Sequence, residues 1–209
     1  MDPLFFIFQI VILVFSVIIH EVSHGFVADR LGDPTARLLG RLTLNPVKHI
    51  DPFGSIILPL LLSLVPGGFV FGWAKPVPYN PLNLKRPERD AALIAAAGPL
   101  SNLFIALVFG LLVRLGVGLG IPGVSGALFV NLAALVVLVN VSLAIFNLVP
   151  IPPLDGSKIL AVFLPRTAAP AWMALERYGF FILIFYIALG APFIGPLIAG
   201  LFTFLVGGS

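Results

Sequence analysis

The chain has 209 residues, 59% of them hydrophobic and only 10% charged, with a formal net charge of +3. Soluble domains carry about a quarter charged residues, so this composition excludes an ordinary soluble enzyme and points to an integral membrane protein. The basic residues sit in loops beside apolar runs, where membrane topology explains them without nucleic acid, and the absence of cysteine excludes disulfides and thiolate metal ligands.

Apolar runs cover residues 3–31, 91–113, 126–149 and 178–206, with a weaker, broken run at 53–72. None alternates as a strand does. The expected fold is therefore an all-α membrane protein, a polytopic helical bundle rather than a barrel. The first run lacks a basic leading segment and a small-residue cleavage site, so it reads as a retained helix rather than a signal peptide. Near its far end lies His20-Glu21-Val22-Ser23-His24. One helical turn separates the two imidazoles and places them on one face, the geometry two nitrogen ligands need to hold one metal ion. Glu21 stands beside that pair, placed to act on a water rather than to fill a coordination position. Ionisable groups at membrane depth each cost about 2–3 kcal/mol on insertion scales, so three within one short segment call for a cation.

Gly32 and Pro34 supply a stop for this helix, which sets His20 roughly 16 Å from its cytoplasmic end. Arg30, Arg37, Arg41 and Lys48 precede the 53–72 run, and Lys75, Lys85, Arg86 and Arg89 follow it. A full crossing between them would put positive loops on both sides of the membrane. The positive-inside rule disfavours that, so the run, interrupted by Pro59, Pro66, Gly67 and Gly68, reads as a small re-entrant or hairpin element with both clusters in the cytoplasm. Leu38–Leu44 and Phe69–Tyr79 are candidate extended strands that an unwound substrate could pair with, or simply loops packed under the bundle. Trp73, Tyr79, Trp172 and Tyr178 read as interface anchors and nothing more.

The third long helix is broken by Pro150, Pro152 and Pro153 in the segment Asn147–Gly156, which also carries Asp155. Irregular backbone at membrane depth survives only inside protein or along a wet cavity. A break here can swing Asp155 towards the first helix as the third ligand, leaving water a fourth position. Asp155 also suits the N-cap of a short helix, Gly156–Leu164, and the two roles are compatible. His49 and Asp51 form a rival source of a third ligand, and Asn147 either satisfies freed backbone groups or stabilises an oxyanion. The last run, 178–206, would span roughly 43 Å as one straight helix, so Gly190, Pro192, Gly195 and Pro196 make it a kinked span or a short hairpin. No separate soluble domain fits, and residues 1–209 read as one transmembrane domain.

With both motifs in view, the chain resembles the site-2 protease family of intramembrane zinc metalloproteases. His20–His24 matches that family's first motif, Asn147–Gly156 its Asn-x-x-Pro…Leu-Asp-Gly motif, and Ala97–Asn102 the Gly-Pro helix between them. The resemblance covers about residues 10–165 and implies that His20, His24 and Asp155 bind Zn2+, that Glu21 is the general base and that Asn147 holds the developing oxyanion. It implies hydrolysis of peptide bonds in the transmembrane segments of protein substrates, in the lipid bilayer and with the site nearer the cytoplasmic face. The expected setting is the plasma membrane of a prokaryote. Many relatives carry PDZ or CBS domains, for which this chain has no length. Two other readings stand beside it: a transporter, since transporters also build sites from broken helices, and a metal-binding scaffold without proteolysis. The first would call for a matching interruption in two halves of the chain, which is absent, and the second leaves Glu21 without a task.

Overall fold

The computed structural model describes residues 3–57, 61, 74–119, 124–189 and 191–208. Its α-helices are α1 (Pro3–Arg30), α2 (Thr35–Leu38), α3 (Pro87–Gly118), α4 (Val124–Leu148), α5 (Asp155–Ala161), α6 (Ala169–Leu189) and α7 (Ala191–Val206). Among the described residues no strand is formed. Helices α1, α3 and α4 are long and apolar enough to cross a membrane, as their hydrophobic runs require.

The end of α1 shows how the sequence closes an element. Gly32 adopts φ +110°, and the N–H groups of Gly32 and Asp33 return to the carbonyls of Asp29 and Ala28, a Schellman closure that uses glycine's freedom at positive φ. Helix α3 begins with Pro87 at its first position, while the Asp90 carboxylate accepts from the Arg86 N–H, so it starts before the expected residue 91 and runs past 113. Pro99 lies within it without ending it, as neighbouring helices permit in a membrane bundle.

Helix α3 is the hub. It lies antiparallel to α1, with Ile94 beside Ala28 at one end and Asn102 beside Ser16 further along. On its other side Ala106 forms a core with Val137 and Val141 of α4, against which Ile198, Leu201, Phe202 and Leu205 of α7 pack. Large apolar side chains such as Phe104, Phe181, Phe185 and Phe204 point outward, the surface expected where lipid is the solvent. The chain from α6 to α7 climbs along α4 in one direction: Gly179 abuts Pro152, the Tyr186 ring faces Phe146, and Leu205 reaches Gly110. The last run is thus two helices, α6 and α7, that continue in one direction rather than folding back as a hairpin.

Several expectations change. Leu38–Leu44 is not a strand, since Leu38 closes α2 and turns follow. Of Phe69–Tyr79, residues 69–73, including Trp73, lie outside the described residues, and 74–79 is irregular. Its backbone is already engaged: the Lys75 N–H donates to His49, the Lys75 and Pro76 carbonyls accept from Arg41, and Pro76 and Pro78 have no N–H. The 53–72 run begins as a short π-helical turn, Pro52–Ile57, but residues 58–60 and 62–73 lie outside the described residues.

Candidate metal centre

His20 and His24 project from α1 onto the face covered by α3 and α5, and both are buried. Each Nε2 points at the same oxygen of Asp155, His20 at 3.1 Å and His24 at 3.2 Å. Their other nitrogens are committed elsewhere. The Ile94 carbonyl can only accept, so His24 Nδ1, 2.7 Å away, donates to it. His20 Nδ1 lies 2.6 Å from the Asn102 side-chain oxygen. With Nδ1 of both rings carrying the proton, two bare Nε2 lone pairs and a carboxylate oxygen converge, an arrangement that repels itself unless a cation sits among the three. Corners of a tetrahedron with edges set by ligand bonds of about 2.1 Å lie roughly 3.4 Å apart, close to the separations found. The donor set therefore fits a small divalent cation, and zinc among them.

Close approach of the helices makes this convergence feasible. A Cβ on Gly98 would fall 2.5 Å from both His20 Nε2 and His24 Cε1, so α3 can lie over the imidazoles only because that residue is glycine. A Cβ on Gly156 would meet the Leu148 carbonyl oxygen at 2.1 Å, and that contact seats α5 under the broken end of α4. Asp155 is the first residue of α5 and makes no cap bond; Leu154 occupies the N-cap, and the helix ends at Ala161 rather than Leu164. The capping role expected for Asp155 is therefore corrected: its carboxylate turns away from its own helix to the imidazoles.

Glu21 accepts the Val77 N–H at 2.9 Å, which ties it to the irregular segment 74–80. Its carboxylate also lies with the imidazole nitrogens, ligand atoms of His20, Glu21 and His24 being within 4.8 Å of one another. Asp155 is the closer partner of both rings, and Glu21 is held off by its backbone bond. A cavity of about 170 Å³ opens beside them, bounded by Tyr79, Ile94, Asn147, Leu154 and Lys158 as well. Asn147 is thus at the site, although its amide nitrogen donates to the Leu143 carbonyl within α4. Tyr79 does more than anchor an interface, since it walls this cavity and its ring lies 5.7 Å from the Lys158 ammonium. A second, largely apolar cavity of about 470 Å³ between α1, α4 and α6 shares His20, Glu21 and Asn147 with the first.

The rival ligands are placed elsewhere. His49 Nε2 donates to the Thr43 carbonyl and Asp51 accepts the Gly54 N–H, so both serve their own loop and neither lines the site cavity. Sequence reasoning met Asn102 only as the end of the Ala97–Asn102 segment and missed Asn140 and Ser16, all three buried polar residues behind His20. The signal was available: three polar side chains in otherwise apolar transmembrane helices demand partners.

Comparison with known proteins agrees with this geometry. The family model described as Peptidase family M50 matches residues 8–122 and 123–189, past the end of the two motifs and through α6. A Bacillus subtilis (strain 168) protein named "Putative zinc metalloprotease YwhC" is 37% identical over 195 residues, covering 91% of this chain and 85% of its own. The similarly named Rip2 of Mycolicibacterium smegmatis is 30% identical over 177 residues, 81% of this chain and 62% of its own length. MJ0611 of Methanocaldococcus jannaschii, named in the same way, is 32% identical over 150 residues, 71% of each chain. No solved structure matches at comparable significance. A histidine pair on one membrane helix, an aspartate carried to it by a broken one, and a family match spanning both lead to one conclusion: this chain belongs to Peptidase family M50.

Proposed function

We propose that this membrane protein is an intramembrane zinc metalloprotease that hydrolyses peptide bonds within the transmembrane segments of other proteins. The observation that carries the reading is the convergence of His20 Nε2, His24 Nε2 and one Asp155 oxygen, with both Nδ1 atoms already engaged. These three residues would hold the zinc. When bound, zinc supplies Lewis-acid chemistry, lowering the pKa of water towards about 7 and polarising a carbonyl. Glu21 takes the proton from the attacking water and returns it to the leaving amine; the Val77 N–H on one carboxylate oxygen orients the group and leaves the other for the proton. Asn147, on the wall of both cavities, stabilises the negative charge developing on the scissile carbonyl oxygen. The apolar cavity between α1, α4 and α6 suits an unwound hydrophobic segment leading to Glu21.

The end of the bundle that carries Arg30, Lys85, Arg86 and Arg89 faces the cytoplasm in this reading, so the site lies nearer that side of the membrane. Bacterial and archaeal relatives support a prokaryotic plasma membrane as the setting.

The test is Glu21→Gln, which preserves shape but cannot accept the proton. Purified variant should retain zinc while cleavage of transmembrane substrates falls by about 10² to 10⁴. Wild-type cleavage by the variant would overturn the assignment of the base, and a wild-type protein that cleaves no such substrate but carries ions into liposomes would overturn the protease reading.

A further inference from the structure

The two histidines are held by different means. His24 leans on a main-chain carbonyl, whereas His20 leans on a side chain, Asn102, that is wholly buried and belongs to another helix. An amide can present either its oxygen or its nitrogen, so something must decide which face it offers. The neighbours do. The Asn102 nitrogen lies 3.3 Å from the Ser16 carbonyl and 2.8 Å from the Asn140 side-chain oxygen. The Asn140 nitrogen lies 2.9 Å from both the Val136 carbonyl and the Ser16 hydroxyl oxygen. Carbonyls of Ser16 and Val136 only accept, so both amides must turn their nitrogens to them. The Asn102 oxygen is then left to face His20, which must carry its proton on Nδ1 and present a bare Nε2.

We infer that Asn102, oriented by Asn140 and Ser16, is the positioning residue that sets the tautomer and ring angle of His20 for metal binding. This rests on the ligand assignment proposed above. The choice of an amide has a chemical consequence, because an amide oxygen cannot take the imidazole proton as a carboxylate can. The Nδ1–H thus stays turned to the amide oxygen, and the Nε2 lone pair is left to face a cation. The network joins α1, α3 and α4 without involving α5.

The test uses full-length protein in detergent, with Co2+ and Zn2+ as the probes. Asn102→Leu should bind either ion about 10- to 100-fold more weakly and shift the visible absorption of the Co2+ form. In a His20→Ala background the same change should have no further effect on affinity, whereas a merely structural role would add to it. Wild-type affinity in Asn102→Leu, with His20→Ala defective, overturns the inference and leaves the ligand assignment standing. Wild-type affinity in His20→Ala overturns the assignment and the inference with it. If Asn102→Leu does not fold, Asn140→Leu decides: it removes the side-chain oxygen that accepts from the Asn102 amide at 2.8 Å, and a smaller, measurable loss of affinity is expected, with an unchanged affinity counting against the network.

Discussion

Asp33 shows how much one side chain can hold at the end of a membrane helix. It is fully buried just after α1, and its carboxylate accepts from the Thr35 hydroxyl and N–H, the Asn80 N–H and the Asn83 amide. Burial alone would raise its pKa; the hydrogen bonds from Thr35, Asn83 and Asn80 outweigh that and hold it below the ordinary carboxylate value. A carboxyl depressed in the folded state adds stability above its unfolded pKa of about 3.9, and that contribution is lost as pH falls through the folded value. Asp33→Asn should therefore be less stable than wild type at neutral pH, by about 2 kcal/mol on the scale of hydrogen bonds to charged groups. The difference in Tm should narrow as pH is lowered from about 6 to about 3. Thermal unfolding of both proteins across that range checks it, and a constant difference would mean that the ionised form has no special role. Asn80 and Asn83 follow the segment that delivers Val77 to Glu21, so this node also bears on the base.

At the scale of elements, the break between α4 and α5 is made by prolines and closed by glycines. Pro150, Pro152 and Pro153 stop the helix, which sequence reading registers at once because proline removes a donor. What turns the stop into a site is close contact: Gly156 against the Leu148 carbonyl and Gly179 against Pro152, whose oxygen would lie 2.6 Å from a Cβ at 179. Those contacts join residues from different elements, and no local pattern announces them. The same division runs through the whole site. His20, Glu21, His24 and Asp155 stand out in the sequence because charge in an apolar run is costly, whereas the parts played by Gly98 against the imidazoles and Asn102 behind His20 show only once α3 is laid across α1. Leu38–Leu44, by sequence a candidate strand or a loop packed under the bundle, takes the second form because Gly40, at φ +62°, turns the chain just after α2. Gly156→Ala tests the closure. The obstructing atoms are backbone and cannot swing aside, so we expect a loss of about 1–3 kcal/mol in stability and weaker metal binding as α5 moves away with Asp155. Unchanged thermal unfolding and zinc affinity would show that the bend has room to spare.

At the scale of the molecule, the fold assigns its charged ends. Helix α1 finishes beside the start of α3, where Ala28 packs with Leu84 and Ile94, and the Lys75 N–H meets the His49 carbonyl, so the basic residues on either side of the 53–72 run are gathered at one end of the bundle. The opposite end holds the close of α3 and of α7, where Arg114 donates to the carbonyls of Phe204 and Leu205 and satisfies groups that a helix terminus leaves open. A bundle with this distribution should sit with the first end, and with it the site cavity lined by Lys158 and Tyr79, nearer the cytoplasmic side. The native chain has no cysteine, so single replacements report position without interference. Lys48→Cys and Lys85→Cys, both exposed, should react with a membrane-impermeant maleimide only from the cytoplasmic side, and Leu119→Cys, 75% exposed at the far end of α3, only from the other. Labelling of Lys48→Cys and Lys85→Cys from opposite faces would make the run between them a full crossing. That outcome would contradict the bond from the Lys75 N–H to the His49 carbonyl, because the two residues could no longer share a side, and it would overturn the helix arrangement on which the site depends.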